Sequence, residues 1–421
     1  MTAGFAAFLA FAVFAVFGYL FTRFHMHQLL VLTFPALWIL SEWIRTWVLT
    51  GFPWLFAGYG MVDTPLAGYA PVLGVFAVSG MTAVTAALLY WGFESPKQQL
   101  KFALPALLGV WALGFVLTQQ NWTEQATTPT SVSLIQSNIP QDQKWLPTQL
   151  PITKKLLRDT TLKELNDTDY QADIVVWPEA AITQFLNTAW PYVEEMELIA
   201  REHNATIITG VPHRERSVQK YRYYNSIMTI GDEFSIYHKQ KLVPFGEFIP
   251  WEDKLKNIVP FFGPMTSFTS GNAQQEPLKV SDQRWAPFIC YEVVYPDFVR
   301  RYAQPSDVLI TISNDAWFGT SFGPHQHFEM TRMRALETGR YLVRGTNTGI
   351  TGVVNHKGKV TARLPQFQQA TLRAEVFRSS GSTPFMAMGS TPIVLLSLLV
   401  LMGSIVLSRK FSPSEASTQQ A

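Results

Sequence analysis

Residues 286–292 read Ala-Pro-Phe-Ile-Cys-Tyr-Glu, an apolar run that ends in the only cysteine of the chain and a carboxylate. A short continuous apolar run is typical of a strand that is buried on both faces of its sheet. Glu179 closes a second such run, Ile-Val-Val-Trp-Pro-Glu, and Lys239 lies in the run Tyr-His-Lys-Gln-Lys. A thiol, a carboxylate and an ammonium at the ends of separate strands favour covalent acyl transfer, with Cys290 as the nucleophile.

The region from 131 to 383 carries short apolar runs that alternate with helical patterns. Eight runs have the length and composition of strands, and most are continuous enough to be buried on both faces. They are residues 132–136, 174–177, 206–211, 226–230, 287–290, 308–313, 341–346 and 349–354. The clearest helical patterns are residues 151–166, 190–204 and 325–339. Alternation of this kind predicts a layered α/β domain.

The two ends of the chain are more apolar than its middle. Five segments there approach the length that crosses a bilayer core of about 30 Å at about 1.5 Å per residue. They are residues 4–21, 29–47, 66–93, 102–117 and 393–407. We therefore expect a membrane domain over residues 1–119 with about four transmembrane helices, and one further transmembrane helix over 391–408. A cleaved signal peptide is disfavoured, because no basic residues precede the first segment and no Ala-x-Ala site follows it.

The positive-inside rule orients these spans. Basic residues near the span ends share one side of the membrane if the five spans alternate: Arg23, Lys97, Lys101, Arg409 and Lys410. That side is the cytoplasm. The region 131–383 is then expected on the opposite face. Residues 409–421 are expected to form a cytoplasmic tail, and its Ser/Gln/Ala-rich end, 412–421, is expected to be disordered.

Arg45 is the exception to this arrangement. It lies three residues after Glu42, so the two side chains can pair on one face of a helix. Ionisable groups at membrane depth usually face protein or a water-filled cavity. The sequence leaves open whether this pair is structural or lies beside a substrate entrance.

Composition excludes several classes of function. A formal net charge of +2, without a basic stripe of interleaved aromatic residues, argues against a nucleic-acid partner. A single cysteine excludes a disulfide framework and any multi-cysteine metal site. His325 and His327 have no third ligand at a suitable spacing, so we expect no metal and no cofactor.

Five motifs give the chain a resemblance to a known family. They are WPEAAI at 177–182, KLVPFGEFIP at 241–250, FICYEVVYPD at 288–297, ISNDAWFG at 312–319 and the PHQH run that begins at 324. In this order and between apolar flanks, they resemble the carbon-nitrogen hydrolase (nitrilase) superfamily and its membrane-embedded branch, the apolipoprotein N-acyltransferases. The resemblance implies a nitrilase-like αββα sandwich domain joined to an α-helical membrane domain. That branch usually has eight spans, so about three N-terminal spans have no counterpart among the five predicted from this sequence.

The resemblance makes Cys290 the nucleophile, Glu179 the general base and Lys239 the cation beside the developing oxyanion. Physical chemistry supports these roles. A thiol with a pKa of about 8.5 is mostly protonated at neutral pH, so it needs a base within hydrogen-bond reach. A fixed ammonium and a backbone N–H can stabilise the tetrahedral oxygen, and the N–H of Tyr291 is the candidate.

Supporting roles follow from the same resemblance. Glu247 lies eight residues after Lys239, past a proline and a glycine, and would keep the lysine charged and aimed. Trp145, Tyr291 and Glu292 match positions that shape the acyl pocket and the access of the acceptor in the family.

Each of these residues also has a reading without chemistry. Cys290 could pack as a small hydrophobic residue, and Glu179 could cap a helix that starts at 180–182. Glu247 could be an exposed loop carboxylate, while the three pocket residues could serve ordinary packing. Lys241 would share one strand face with Lys239, so a bend or the end of the strand has to decide which lysine reaches the site.

The implied reaction is a ping-pong transfer. Cys290 would take an acyl chain from a phospholipid as a thioester and pass it to the N-terminal diacylglyceryl-cysteine of an apolipoprotein, a step of lipoprotein maturation. We expect a monomer in the bacterial inner (cytoplasmic) membrane, with the catalytic domain on the periplasmic side. Two alternatives stay open: a membrane-tethered amidase or nitrilase-type hydrolase, and an inactive truncated paralogue. The Pro/Phe-rich residues 261–265 are a candidate lipid-facing lid that would favour the transferase.

Overall fold

A computed structural model describes residues 2–23, 26–94, 96–216, 221–249 and 267–411. The chain divides into two compact units, one of Met1–Gln120 with Met388–Ala421 and one of Asn121–Ala387. The predicted lid at 261–265 and the predicted disordered end at 412–421 lie outside the described residues.

The first unit is helical. Its α-helices are Thr2–Arg23, Leu30–Ile44, Ala70–Leu73, Val75–Glu94, Pro96–Thr118 and Thr391–Phe411. Within the part of the chain that the structure describes, two helices are long and apolar enough to cross a membrane by length and composition: Val75–Glu94 and Leu100–Thr118. Shorter apolar helices cover Ala12–Arg23, Leu30–Ile44 and Thr391–Leu407.

Two of the predicted spans need correction. Residues 66–93 do not form one helix, because the short helix Ala70–Leu73 ends at Gly74, whose φ of 77° interrupts the chain before the long helix. Residues 29–47 contain a helix of only 15 residues, Leu30–Ile44. Its length of about 22 Å is shorter than a bilayer core of about 30 Å.

A buried ion pair lies at the end of the helix Leu30–Ile44. Glu42 Oε1 and Arg45 Nη2 are 4.0 Å apart, which confirms the predicted pair. The same carboxylate oxygen accepts hydrogen bonds from the indole N–H of Trp38 and the backbone N–H of Ala57. Because these contacts join the helix to the segment that follows it, we interpret the pair as structural.

The described residues of the second unit form twelve strands in two sheets. They are β1 Thr123–Gln136, β2 Ile174–Val176, β3 Thr206–Arg216, β4 Tyr221–Ile230, β5 Ile236–His238, β6 Leu278–Val280, β7 Gln283–Ile289, β8 Val308–Ser313, β9 Leu342–Thr346, β10 Gly352–Val354, β11 Val360–Arg363 and β12 Ala370–Gly381. One six-stranded sheet has the order β12-β1-β2-β3-β4-β5 and the other β11-β10-β9-β8-β7-β6. In each sheet the three strands β1-β2-β3 or β7-β8-β9 are parallel, and the outer pairs are antiparallel. The carboxyl ends of the parallel strands therefore meet at one edge of each sheet.

Helices cover the outer faces of the two sheets. The α-helices of this unit are Gln141–Lys144, Gln149–Leu165, Leu186–Glu202, Pro296–Ala303, Gly323–Thr338 and Pro384–Met388. On the first sheet, Trp177 packs in an apolar core with Leu157 and Met196 from two of these helices. On the second sheet, Phe288 meets Phe298 of the helix Pro296–Ala303 edge-on. The layers confirm the expected α/β fold, an αββα sandwich.

Every predicted strand and helix of this unit is present, with ends shifted by a few residues. The largest shift is in β1, which begins at Thr123 rather than at 132. The sequence patterns do not predict β6, β11 or β12, and they give no bounds for β5, the strand that ends beside Lys239. β12 lies at the edge of its sheet and is partly exposed along its length, so it lacks the continuous apolar run of a central strand.

Gly210 on β3 gives a test of this packing. A Cβ atom there would lie 2.5 Å from the backbone N of Ala180 and 2.7 Å from Glu179 Cα. Because both are backbone atoms, Gly210→Ala has to displace the turn at Glu179, at a cost of about 1–3 kcal/mol. We expect the thermal midpoint of the solubilised protein to fall by about 2–4 °C for each kcal/mol.

Gly109→Ala is the matched control, because its Cβ would meet no atom within 4 Å. Calorimetry of this control should give a midpoint at or above that of the wild type, since alanine favours the helix. Equal midpoints for Gly210→Ala and the wild type would contradict the close approach of the two backbones.

Candidate active site

Cys290 lies at a sharp turn between a strand and a helical turn. β7 ends at Ile289, and a 3-10 helix covers Cys290–Val294. The φ of Cys290 is 51°, in the left-handed region that residues other than glycine rarely adopt. Cys290 is partly exposed. A strained strand-to-helix turn of this kind can present a nucleophile at the end of a sheet.

Glu292, two residues further on, holds this turn. Its side chain is fully buried, and Oε2 accepts a hydrogen bond from the backbone N–H of Ile289 at 2.9 Å. Oε1 accepts three more, from the Tyr237 hydroxyl (2.8 Å), the Gln240 N–H (2.7 Å) and the Lys241 N–H (3.1 Å). This geometry favours a positioning role for Glu292, because the carboxylate ties the cysteine turn to the loop after β5.

Glu179 lies in the turn that follows β2, and groups from both sheets fix its carboxylate. Asn225 Nδ2 on β4 donates to Oε1 at 2.8 Å, and the backbone N–H of Asn314, just after β8, donates to Oε2 at 2.9 Å. The next helix begins only at Leu186, so the alternative that Glu179 caps a helix at 180–182 is wrong. Both oxygens are held, and the carboxylate has one orientation.

Lys144 is a second buried cation beside Glu179 that the sequence patterns did not indicate. Its Nζ donates a hydrogen bond to the backbone carbonyl of Glu179 at 2.8 Å. Burial lowers the pKa of Lys144 to about 8, although the charge of Glu179 opposes the shift. Lys144 therefore anchors the main chain of the predicted base.

Lys239 follows β5 directly, since that strand ends at His238. Its Nζ lies 2.8 Å from each carboxylate oxygen of Glu247 and 3.9 Å from Glu179 Oε1. The lysine side chain is only 1% exposed. One buried ammonium is thus shared by two carboxylates.

Glu247 and Lys241 resolve two alternatives. Glu247 is largely buried and accepts hydrogen bonds from Asn225 Nδ2 (3.0 Å) and the Val243 N–H (2.9 Å), so it is not an exposed loop carboxylate. Lys241 lies elsewhere, with its Nζ 5.2 Å from the centre of the Tyr295 ring. The end of β5 gives Lys239, and not Lys241, the contacts with both carboxylates.

The charges of the three predicted catalytic groups are coupled. Burial raises the pKa of the Cys290 thiol well above its usual range; the charge of Glu179 adds to this shift and that of Lys239 opposes it. Burial also raises the pKa of Glu179, while Lys239 opposes the shift. Burial alone would lower the pKa of Lys239, but Glu247 and Glu179 outweigh it and raise this pKa. The thiol is therefore neutral at rest, and its proton has to leave as the sulfur attacks.

The remaining predicted pocket residues differ in exposure. Trp145 follows the short helix Gln141–Lys144 and is 51% exposed, so it is not an ordinary core residue. Tyr291 is buried, and its ring meets that of Tyr295 edge-on with 5.3 Å between centroids.

Two further polar residues reach the site without having been predicted. Asn225 contacts the carboxylates of both Glu179 and Glu247, and the Ser313 side chain opposes the rise in the pKa of the Cys290 thiol. Ser313 belongs to the ISNDAWFG motif, whose pattern alone does not indicate a role for it. The sequence signal that could have indicated Asn225 is an amide side chain in the buried part of β4.

His213, Glu215 and His238 are the group of described residues that could hold a metal ion. His213 Nδ1 and His238 Nε2 lie 3.9 Å and 3.6 Å from Glu215 Oε1. The two imidazole rings are 5.2 Å apart and nearly parallel, and burial lowers the pKa of both. We interpret the group as stacked neutral histidines beside a surface carboxylate. Of the two histidines predicted not to bind metal, His327 is buried and hydrogen-bonded.

Sequence comparisons place this arrangement in a family. The carbon-nitrogen hydrolase family model matches residues 117–383, and that of the apolipoprotein N-acyltransferase N-terminal domain matches residues 1–88. The apolipoprotein N-acyltransferase of Pseudomonas aeruginosa is 44% identical over 391 residues, which are 91% of this chain and 75% of that protein. The chain belongs to the apolipoprotein N-acyltransferase family. Apolipoprotein N-acyltransferases of Azotobacter vinelandii (44% over 377 residues, 88% and 72% coverage) and Photobacterium profundum (41% over 412 residues, 94% and 77%) agree.

Solved structures show a weaker likeness to this chain. The carbon-nitrogen hydrolase of Helicobacter pylori has 16% identity and a TM-score of 0.45, and the match covers 59% of this chain and 89% of that one. The C. elegans NitFhit protein has 17% identity and the same TM-score, with 67% and 65% coverage. The fold assignment rests on the family match and the sheet order.

The raised pKa of Glu179 leads to a pH dependence. Only the ionised carboxylate can take the thiol proton, and a raised pKa means that it is protonated at a higher pH than a free glutamate, whose pKa is about 4.3. We therefore expect acylation of Cys290 by p-nitrophenyl butyrate to slow on acidification with a midpoint above that value. Because the chain has one cysteine, the part of the mass increase that hydroxylamine removes under mild conditions reports thioester formation at Cys290.

Glu276→Gln, which changes an exposed carboxylate, should leave the midpoint of this pH profile where it is in the wild type. A rate that stays constant down to the ordinary glutamate range, in protein that remains folded, would exclude Glu179 as the base.

Proposed function

We propose that the chain transfers an acyl group from a membrane phospholipid to the N-terminal diacylglyceryl-cysteine of apolipoproteins, through a thioester on Cys290. The observation that carries the proposal is the buried Lys239 ammonium 3.9 Å from Glu179 Oε1, with both charges acting on the thiol of Cys290. Family membership supports the substrate class, since the relatives are named for N-acyl transfer to apolipoproteins. We assign Cys290, Glu179 and Lys239 as nucleophile, base and oxyanion cation.

The first half-reaction forms the thioester. Glu179 takes the proton of the Cys290 thiol while the sulfur attacks the ester carbonyl of the phospholipid. The carbonyl oxygen becomes negative and is stabilised by the Lys239 ammonium, whose raised pKa keeps it charged, and by the N–H of Tyr291. The C–O bond then breaks, Glu179 returns the proton to the alcohol oxygen, and lysophospholipid leaves.

The second half-reaction consumes the thioester. The neutral α-amine of the acceptor attacks the thioester carbonyl, and Glu179 takes a proton from the nitrogen. An amide bond forms as the C–S bond breaks. The Cys290 sulfur recovers the proton from Glu179, so the site returns to its starting state and no redox partner is needed.

Two alternatives are less well supported. A membrane-tethered amidase or nitrilase-type hydrolase would pass the acyl group to water, but the relatives at 41–44% identity are acyltransferases. An inactive paralogue would have no reason to keep the hydrogen bonds that hold Glu179, Lys239 and Glu247 in one cluster. Release of free fatty acid, rather than transfer to a diacylglyceryl peptide, would favour the hydrolase.

The thioester itself is directly testable. Incubation with phospholipid should add one acyl chain to the protein, and intact mass should show that hydroxylamine removes it. Because the chain has one cysteine, Cys290→Ala should abolish the adduct. Persistence of the adduct in that variant would refute the assignment.

The neighbouring lysines supply a matched control for the same experiment. Lys239→Ala should slow single-turnover thioester formation by about 10²–10³-fold, because it removes an oxyanion contact. Lys241→Ala removes a charge of the same type two residues away and should stay close to the wild-type rate. A reversed order of the two variants would move the oxyanion role to Lys241.

We further propose that the chain is a multi-pass protein of the bacterial inner membrane with its catalytic unit on the periplasmic side. Two helices have sufficient length and apolar character among the described residues, and three shorter apolar helices accompany them. Lys97 and Lys101 lie at the connection between the two long helices Val75–Glu94 and Leu100–Thr118, and the positive-inside rule puts that connection in the cytoplasm. The residues that follow the second of these helices then lie on the periplasmic side.

Cysteine labelling tests this topology. In a Cys290→Ala background, Gln274→Cys should react with a membrane-impermeant thiol reagent in spheroplasts, because position 274 is exposed on the catalytic unit. Gln99→Cys should react only after the membrane is permeabilised. The opposite pattern would place the catalytic unit in the cytoplasm.

A further inference from the structure

The carbonyl oxygen of Cys290 has a buried partner to which the proposed mechanism gives no role. The Nε2 of His327 lies 3.2 Å from this oxygen, and His327 is 1% exposed. A carbonyl oxygen only accepts hydrogen bonds, so Nε2 carries a proton whether the imidazole is neutral or charged. His327 therefore donates to the main chain of the nucleophile.

This hydrogen bond also sets the direction of the next backbone N–H. The peptide bond between Cys290 and Tyr291 is trans, so its C=O and N–H point in opposite directions within one plane. A carbonyl held toward His327 leaves the N–H of Tyr291 directed to the opposite side. Because the φ of Cys290 is left-handed, the surrounding contacts have to maintain this peptide orientation.

A buried ion pair orients His327 in turn. Asp315 Oδ1 and Arg344 Nη2 each lie 3.1 Å from His327 Nδ1. Arg344 and Asp315 are themselves 2.6 Å apart, and neither side chain is exposed. A neutral ring accepts from Arg344 at Nδ1, and a charged ring donates to Asp315 from the same atom. In both states the imidazole keeps Nε2 toward Cys290.

The same network includes Ser313. Its Oγ donates to Asp315 Oδ1 at 2.5 Å, and its side chain opposes the rise in the pKa of the Cys290 thiol. Asp315 is thus linked to Ser313 and, through His327, to the Cys290 carbonyl.

We propose that His327 is a positioning residue for acyl transfer: by holding the Cys290 carbonyl, it aims the N–H of Tyr291 at the oxygen of the tetrahedral intermediate. The inference rests on the proposed thioester chemistry at Cys290. Since the contact lies beneath the nucleophile, loss of His327 should weaken stabilisation of the transition state more than binding of the ester.

The test compares p-nitrophenyl butyrate with its thionoester, in which sulfur replaces the carbonyl oxygen. Sulfur is a poor hydrogen-bond acceptor, so an aimed N–H accelerates the oxygen ester much more than the thionoester. His327→Leu and His327→Asn should slow single-turnover acylation of Cys290 by the oxygen ester by about tenfold or more. Both variants should also lower the ratio of the oxygen-ester rate to the thionoester rate. The ester concentration that gives half of the maximal rate should change little.

His327→Gln keeps a side-chain N–H of similar reach and should preserve most of this ratio. Thr331→Val is the control on the same helix, since Thr331 Oγ1 donates to the His327 carbonyl and not to Cys290. This control should leave the ratio unchanged. The asparagine variant keeps a polar group in the buried site and so provides the measurement if the leucine variant does not fold.

The outcomes separate this inference from the proposed function. A wild-type protein that forms no butyryl adduct overturns the thioester chemistry, and with it the role of His327. If the wild type forms the adduct, two results would overturn the role of His327 alone. Either His327→Leu and His327→Asn react at the wild-type rate, or they slow the oxygen ester and the thionoester equally.

Discussion

The buried ammonium of Lys239 holds the candidate site together. It lies between the carboxylates of Glu247 and Glu179, at 2.8 Å and 3.9 Å. Charges buried in the protein interior are stable only when they are paired and hydrogen-bonded. Removal of one partner of a buried pair lowers the free energy of unfolding by about 3–5 kcal/mol. Asn225 bridges the same two carboxylates, whose charges would repel each other without the lysine. The cysteine turn and the clamp at Glu292 bring a neutral thiol into the field of this cluster.

The local sequence predicts the chemistry better than the contacts that organise it. Cys290 and Glu179 each follow a short apolar run, so the local sequence alone predicts that both lie at the ends of strands. The contact between Asn225 and Glu179 joins residues 46 positions apart, and that between Asn314 and Glu179 joins residues 135 apart. Such pairings depend on which strands become neighbours, which no local pattern specifies. The hydrogen bond from Lys144 to the Glu179 carbonyl also joins residues that are distant in the sequence, so no local pattern predicts it.

Periodicity has a similar limit in the helical unit. Residues 66–93 are apolar throughout, but Gly74 adopts a positive φ and divides the segment. Composition does not reveal that break, because glycine is common in apolar helices. In the catalytic unit the central strands are predicted because both of their faces are buried. The partly exposed edge strand β12 lacks this signal.

The hydrogen bonds of Glu292 have a mechanical consequence. Oε2 of Glu292 accepts a hydrogen bond from the backbone N–H of Ile289 at the end of β7. Oε1 accepts hydrogen bonds from the backbone N–H groups of Gln240 and Lys241, which follow β5. These strands belong to different sheets, so the Glu292 side chain connects two loops that belong to different sheets. A displacement of either loop is therefore transmitted to the other, and the distance between the Cys290 thiol and the Lys239 ammonium is kept.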